Sequence, residues 1–347
     1  MAEYFSEGYG VQHINPEGYG VQHINQQKAI AYFKKSYEAG YPVAGYDVAA
    51  SLPDGSPEQD EIRNHAKDNI LELANEGDAC AQNNLGAMYY YGHGVEQSYE
   101  KATEWYLKAA EQGLADAQCN LGLMYEYGRG VEQSYEKAVE WYQKAADQGL
   151  ASAQCNLGNM YEYGCVYGYG RDVERSDLIA AMWYGKAAEQ GYARAQYNLG
   201  WMYRNGRGVR RSDKKAAKWY HKAAEQGDEL AQYHLGLMYE YGRGVERSDE
   251  KAAEWVLKAA EQGFADAQNH LGLMYKNGTG VEQSYEKAVE WYLKAAEQGL
   301  AIAQYNLGEM YALGDGVEQS NEKAREWLQK AADQGFDCAM FGLYDRW

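Results

Sequence analysis

Histidine and cysteine side chains are the groups in this sequence with the widest chemical range. His234 and His270 occupy the same position in adjacent copies of a repeated unit, so roughly 10 Å would separate them at normal helix spacing. No third ligand accompanies them, and we therefore predict no metal site. Cys119 and Cys155 also share one repeat position, at which other copies carry Tyr or Asn. This variation predicts two buried small side chains rather than a disulfide or a nucleophile pair.

The short motifs that bind nucleotides or catalytic metals are absent from the sequence. It contains no phosphate loop of the P-loop type, no HExxH and no CxxC. Glycine pairs such as Gly128 and Gly130 end a predicted helix instead of following a strand, so they indicate turns and not dinucleotide loops. We therefore predict that the protein is not an enzyme and uses no cofactor.

A unit of 36 residues recurs along most of the chain and must position any functional side chain. One copy, Ala115 to Leu150, reads ADAQCNLGLMYEYGRGVEQSYEKAVEWYQKAADQGL, and another spans Ala265 to Leu300. A period of this length predicts a solenoid in which neighbouring units bury a common core. We divide the chain into degenerate N-terminal repeats with a duplicated loop (1–78), seven full units (79–336, the third with a six-residue insertion) and a C-terminal capping helix (337–347).

Each unit predicts two helices joined by a glycine-containing loop. Apolar residues at Ala117, Leu121 and Met124 recur with helical spacing in the first helix, and Ser134 is a natural N-cap for the second. The second helix carries an apolar stripe, which we expect to be buried and which consists of Ala138, Trp141, Tyr142, Ala145 and Ala146.

A glycine inside the first helix, Gly122 in this copy, costs roughly 1 kcal/mol relative to alanine. We attribute its recurrence to a close approach of the second helix, with the large Trp packed nearby.

Composition limits the partners and the compartment. The net charge of −18 argues against nucleic-acid and anionic-membrane binding, which require a basic surface. No run of eighteen apolar residues is present, so we expect no membrane insertion. The five cysteines lack paired spacing, which indicates reduced thiols, and the N-terminus lacks the features of a signal peptide. We expect a cytoplasmic protein, although a trimmed leader would leave secretion open.

The repeated pattern AxAQxxLGxMYxxGxGVxxxxxKAxxWYxKAAEQG resembles the SEL-one-like repeat, a relative of the tetratricopeptide repeat. The resemblance covers Ala79 to Phe336 closely and the first 78 residues weakly. It implies an all-α fold, a right-handed superhelical solenoid of antiparallel helix pairs. It also implies a scaffold or adaptor that binds a protein or peptide.

In tetratricopeptide arrays the first helix of each pair lines the concave groove, and this resemblance suggests a polar ladder for gripping a peptide main chain. An amide side chain offers both a donor and an acceptor, as the ladder requires. The same amides could instead bond within the array, and the sequence leaves both interpretations open. The ladder would consist of Asn84, Asn120, Asn156, Asn198, His234, His270 and Asn306.

Side chains on the same helix that differ between copies are the better candidates for specificity, because packing does not dictate them. Aromatic and arginine residues dominate interface hot spots. For Trp201, a local change in packing is the alternative explanation. The candidates are Tyr90, Tyr91, Tyr197, Trp201, Arg204, Tyr233 and Tyr241. The resemblance to tetratricopeptide arrays adds Glu126 and Tyr127 as inner-surface positions.

The fourth unit, Ala193 to Asp228, is basic within an acidic chain. It has nine basic and three acidic residues, so its charge is +6 and the remainder carries −24. Such a patch could receive an acidic segment or a phosphate group, although a solvated face is the alternative. The patch consists of Arg204, Arg207, Arg210, Arg211, Lys214 and Lys215.

These observations together predict a non-enzymatic interaction scaffold that binds a partner polypeptide on its concave face. The alternative is an inhibitor or immunity protein that wraps and blocks a target enzyme, since an acidic array suits a basic target.

Overall fold

The structure is a computed structural model that describes residues 57–164 and 174–339. All fifteen elements of regular structure in these residues are α-helices. They are α1 Pro57–Glu76, α2 Ala79–Tyr91, α3 Tyr99–Glu111, α4 Ala115–Tyr127, α5 Tyr135–Asp147, α6 Ala151–Tyr163, α7 Asp177–Glu189, α8 Ala193–Asn205, α9 Asp213–Glu225, α10 Glu229–Tyr241, α11 Asp249–Glu261, α12 Ala265–Asn277, α13 Tyr285–Glu297, α14 Ala301–Leu313 and α15 Asn321–Asp333. None of the helices described is both long and apolar enough to cross a membrane.

Several predicted features lie outside the described residues. They include the duplicated N-terminal loop, most of the insertion in the third full repeat with Cys165, and the capping helix beyond residue 339.

The described residues form two compact units. The N-terminal unit holds 57–164, 174–195 and 207–209, and the C-terminal unit holds 196–206 and 210–339. In the N-terminal unit every helix from α1 to α7 packs on the next, and in the C-terminal unit the same is true from α9 to α15. This consecutive packing of helix pairs is the arrangement of an α-solenoid, which confirms the predicted fold class.

The helix boundaries arise from local residue chemistry, as the sequence predicts. Ser134 lies before α5 with an extended backbone, and its Oγ accepts a bond of 3.3 Å from the Lys137 amide. Gly128 ends α4 in the left-handed region at φ 63°, and its N–H donates to the Met124 carbonyl. In each of the seven full repeats, an equivalent serine caps the start of the second helix. These serines are Ser98, Ser134, Ser176, Ser212, Ser248, Ser284 and Ser320.

The glycine inside the first helix makes room for a tyrosine, not for the tryptophan that we expected from the sequence. A Cβ on Gly122 would lie 2.6 Å from two ring atoms of Tyr142, which is fully buried. Trp141 is only half-buried, and the Lys144 ammonium lies 3.8 Å from its ring centroid. Neighbouring helix residues point about 100° apart, so only one of the two rings can face the first helix. The expectation that the tryptophan of the apolar stripe is buried is therefore wrong, except at the equivalent Trp183, which is 5% exposed.

Within each compact unit, a buried glutamine joins one repeat to the repeat before it. Gln118 Nε2 donates to the Ala110 carbonyl at the end of α3, at 3.2 Å, and Gln118 Oε1 accepts from Gln148 Nε2 at 2.8 Å. Gln148 also donates to the Gly113 carbonyl at 2.9 Å. Two amide side chains thus connect the end of one repeat to both helices of the next. The equivalent buried glutamines are Gln82, Gln118, Gln154, Gln196, Gln232, Gln268 and Gln304.

We predict that G122A destabilises the protein even though alanine is the better helix former. Its methyl group must displace the Tyr142 ring, and overpacking of this kind costs about 1–3 kcal/mol. Gly185 is a matched control, because it lies inside α7 with nothing within 4 Å of an added Cβ. G185A should raise the free energy of unfolding by up to about 1 kcal/mol. Urea unfolding followed by circular dichroism measures both, and a G122A variant as stable as wild type would contradict the close-packing account.

We predict that Q118L destabilises the array by about 1–3 kcal/mol, because it leaves the buried Ala110 carbonyl and the Gln148 amide without this partner. Q133L in the same repeat is the control. Gln133 is exposed and donates to the Glu126 carbonyl at 2.7 Å, so its loss should change stability by less than about 0.5 kcal/mol. Thermal unfolding compares the two variants, and similar midpoints for both would show that the Gln118 hydrogen bonds do not stabilise the array.

Candidate protein-interaction site

The predicted asparagine ladder is engaged within the array at three of its positions. Asn120 Nδ2 donates to Asn83 Oδ1 at 3.0 Å, and Asn306 Nδ2 donates to Asn269 Oδ1 at 2.9 Å. Asn156 Nδ2 lies 3.6 Å from the Sγ of Cys119. Each bond joins the first helices of neighbouring repeats, so these amides use donor capacity that a peptide main chain would need. Asn84 and Asn198 are half-buried like the other three.

His234 lies in an aromatic stack in the C-terminal unit. Its ring stacks on Tyr197 at 5.8 Å and on Tyr220 at 5.5 Å, and Arg204 Nη1 lies 3.1 Å from its Nδ1. Burial and the nearby Arg204 charge lower the pKa of His234 to about 4. The imidazole is therefore neutral at pH 7, and its Nδ1 accepts the bond from the guanidinium.

His270 has a different set of contacts from His234. Its Nε2 lies 3.2 Å from a carboxylate oxygen of Glu240, and its ring meets the Tyr233 ring edge to face at 5.8 Å. The two histidines therefore bond different polar partners, Arg204 and Glu240, although they occupy the same repeat position and both contact the Tyr233 ring.

Three tyrosines proposed as partner contacts belong to a larger cluster in the N-terminal unit. Tyr90 lies 4.7 Å from Tyr91 and 5.3 Å from Tyr99 between ring centroids. The Arg129 guanidinium lies 5.4 Å from the Tyr90 ring, 5.7 Å from Tyr99 and 5.2 Å from Tyr127. Tyr127 is 56% exposed. We call these five residues the tyrosine–arginine cluster.

Sequence reasoning missed Tyr99 and Arg129 as members of this cluster. A signal for Arg129 was present, because its loop position varies between copies while the flanking glycines do not. The equivalent residues are His93, Arg129, Arg207, Arg243, Thr279 and Asp315. A smaller counterpart occurs in the C-terminal unit, where the Arg243 guanidinium lies 5.3 Å from the ring of Tyr241, which is 59% exposed.

Glu126 and Trp201 both contact buried residues of their units. Glu126 accepts a bond of 2.5 Å from the Tyr142 hydroxyl, and burial raises the pKa of its carboxyl group. Trp201 is half-buried and packs on the apolar cluster that contains Tyr220 and Leu235. This placement agrees with the packing explanation for Trp201 that the sequence left open.

The six residues of the predicted basic patch have different environments. Arg207, which belongs to the N-terminal unit, bonds Asp177 at 2.6 Å and Glu162 at 3.4 Å, so carboxylates of its own unit compensate its charge. These contacts raise the pKa of Arg207 and lower that of Asp177. Arg204 faces His234, as described above. The remaining four residues of the patch are exposed, and they are Arg210, Arg211, Lys214 and Lys215.

The cysteines lie where the repeat comparison predicts. Cys119 and Cys155 are buried, and burial raises the pKa of the Cys119 thiol to about 12, so it is protonated and unreactive at neutral pH. In the part of the chain that the structure describes, none of the four cysteines forms a disulfide, and Cys80 and Cys338 are exposed.

We predict that stability falls as the pH is lowered from about 6.5 to about 4, in part because of His234. The unfolded chain binds a proton at this imidazole near pH 6.5, whereas the folded chain resists it down to about pH 4. The contribution is therefore complete above pH 6.5 and is lost by at most about 1.4 kcal/mol per pH unit. H234N is the comparison, since Asn occupies the equivalent position at Asn120 and Asn198. Urea unfolding from pH 7 to pH 4 should show a steeper loss in wild type, and parallel profiles would refute the assignment.

Comparison with known proteins gives the family of this helical array. The Sel1 repeat matches residues 17–41, 81–114, 115–150, 151–192, 193–228, 230–264, 265–300 and 301–336. No curated protein resembles the chain closely enough to count as a match.

Two solved structures resemble the chain along most of its length. A protective antigen present in uropathogenic Escherichia coli strains, which displays an SLR fold, is 37% identical with a TM-score of 0.68; the match covers 89% of this chain and 65% of the antigen. A Sel1 repeat protein from Oxalobacter formigenes is 32% identical with a TM-score of 0.66, and the match covers 97% of this chain and 98% of that protein. The eight matched repeats and these two relatives show that the chain belongs to the Sel1 repeat family.

Proposed function

We propose that the protein is a non-enzymatic adaptor that binds a partner polypeptide on the surface lined by the first helices of its repeats. Sel1 repeat proteins generally mediate protein–protein interactions. The observation that carries the proposal for this chain is the tyrosine–arginine cluster, in which an arginine holds several tyrosines at the ends of α2 and α4.

The physical properties of this cluster suit protein binding. Tyrosine and arginine are enriched among residues that dominate interface energies. The Arg129 contacts hold the rings in place before a partner arrives, which reduces the entropy lost on binding. The exposed part of Tyr127 offers an apolar ring together with a hydroxyl group, as the tyrosines of antibody paratopes do.

Two exposed thiols favour a cytoplasmic location, in line with the sequence expectation. Cys80 and Cys338 are exposed free thiols. Exposed thiols of this kind persist in reducing compartments, whereas oxidising compartments convert them to disulfides. We therefore propose a cytoplasmic partner.

We predict that the double variant Y127A and R129A weakens partner binding at least about tenfold, because it removes the exposed ring and the cation that holds it. The matched control is Y285A with R325A, which removes one exposed tyrosine and one exposed arginine from second helices of the C-terminal unit. Affinity capture from an extract of the source organism, followed by titration of the captured protein, measures the effect.

Equal capture by wild type and the cluster variant would remove the tyrosine–arginine cluster from the proposal. If the captured protein is an enzyme, its activity with and without this chain separates an adaptor from an inhibitor. Inhibition is the second candidate, because a net charge of −18 suits a basic target.

A further inference from the structure

Three exposed positions of the fourth full repeat reverse the charge that the other repeats carry. Arg210, Lys214 and Lys218 occur where most other copies have glutamate. The glutamates at the first position are Glu96, Glu132, Glu174, Glu246, Glu282 and Glu318. Those at the second are Glu100, Glu136, Glu250, Glu286 and Glu322, and those at the third are Glu104, Glu140, Glu254, Glu290 and Glu326. Since the repeats share one backbone plan, packing does not require these three basic side chains.

Two of the reversed positions line a cleft in the C-terminal unit. The cleft has a volume of about 310 Å³. One wall is α9, from which Lys214, Lys218 and Lys222 project with a spacing of four residues, so all three lie on one side of the helix. Its apolar lining comes from Ala217 on α9 and from Leu235 and Val245 of the following repeat. We call this the lysine cleft.

Lys222 lacks the carboxylate partner that its counterparts have in three other repeats. Lys144 Nζ lies 2.8 Å from Glu140, and Lys258 Nζ lies 2.9 Å from Glu254. The residue that corresponds to those glutamates beside Lys222 is Lys218. Across residues 57–164 and 174–339, no carboxylate lies within salt-bridge distance of Lys214, Lys218 or Lys222. Three like charges therefore stand on one helix side, an arrangement that an anionic ligand would stabilise.

We propose that the lysine cleft binds an acidic segment of a partner polypeptide, with an apolar side chain of that segment seated against the partly exposed Val245. The inference rests on the proposed function and specifies a second contact surface, on a second helix instead of the first helices. The lysines supply charge complementarity, and the apolar lining selects a peptide over a bare anion.

A protein segment fits this surface better than a nucleic acid does. Nucleic-acid binding requires an extended basic surface, whereas the chain as a whole carries a net charge of −18. The next repeat returns to glutamate at Glu250 and Glu254, both exposed, so the basic surface is confined to about one repeat. A short acidic peptide can match that length without meeting the neighbouring glutamates.

The test uses the full chain and a fluorescein-labelled peptide of about twelve residues, composed of Glu and Asp with one central Phe. Fluorescence anisotropy at about 50 mM salt measures its affinity. The double variant K214E and K218E introduces the residue types that other repeats carry at these positions, so it should fold normally, as circular dichroism and thermal unfolding will verify. We expect it to weaken peptide binding at least about tenfold, and we expect binding by wild type to weaken as salt is raised.

The control K287E with K294E produces the same change in charge on two exposed lysines of one second helix, α13, in the same unit and should leave binding within about twofold. A peptide with Gln and Asn in place of the acids, or with Gly in place of Phe, should bind more weakly. Equal loss in both double variants would overturn the proposal by showing non-specific attraction, and so would tighter binding of a single-stranded DNA of equal charge. If the peptide test fails while the Y127A and R129A variant still loses its captured partner, the lysine cleft alone is removed. If the peptide test succeeds while that variant captures its partner normally, only the tyrosine–arginine cluster is removed.

Discussion

The hydrogen bonds of the buried Gln118 amide, one of them to the exposed Gln148, are the interaction on which the repeat architecture depends. They and the bond from Gln148 to Gly113 connect the carboxyl end of α3 and the loop after it to α4 and to the end of α5. A buried amide costs free energy unless all its groups are paired, and the Gln118 donor reaches the Ala110 carbonyl only when the preceding repeat lies in the correct register. The same contact therefore specifies how one repeat meets the next, while the alanine-rich helices around it supply the apolar area.

Close contact between the two helices of each pair adds a second constraint. The ring of Tyr142 lies where a side chain at Gly122 would be, and the fifth and last full repeats use Val256 and Leu328 against their own glycines. Packing therefore fixes the glycine, the apolar residue opposite it and the paired glutamines in each copy. Loop positions and the exposed ends of the helices are outside these constraints. The side chains that differ between copies, such as Arg129, occur there, which is why variation between repeats is a better guide to binding than the repeated residues are.

The sequence was sufficient for the helices and insufficient for the contacts between them. Caps such as Ser134 and Gly128 act within a few residues, so their effect is readable locally. Trp141 and Tyr142 both fall within the apolar arc of a helical period, and only the crossing of α4 and α5 decides which ring is buried. For the same reason the asparagines could not be assigned, because the bond from Asn120 goes to Asn83 in another repeat. The charge count over the fourth repeat placed Arg207 in a basic patch, although its charge is compensated. Its partners Asp177 and Glu162 lie 30 and 45 residues earlier in the chain, outside that repeat.

Comparison of equivalent positions within one chain acts as an internal mutation series. At the position of Lys218 the other repeats show what the backbone accepts, since Glu140, Glu254 and Glu326 each pair with a lysine four residues later. Such exposed pairs contribute little to stability, so their loss in one copy costs the fold little. Lys222 is common to all seven repeats and lies over the Trp219 ring, whereas the presence of Lys214 and Lys218 beside it, at a cost in mutual repulsion, has no explanation in the packing of the array. The proposed anionic partner would supply the missing attraction, and the partly exposed Val245 at the cleft favours a partner that also presents an apolar side chain.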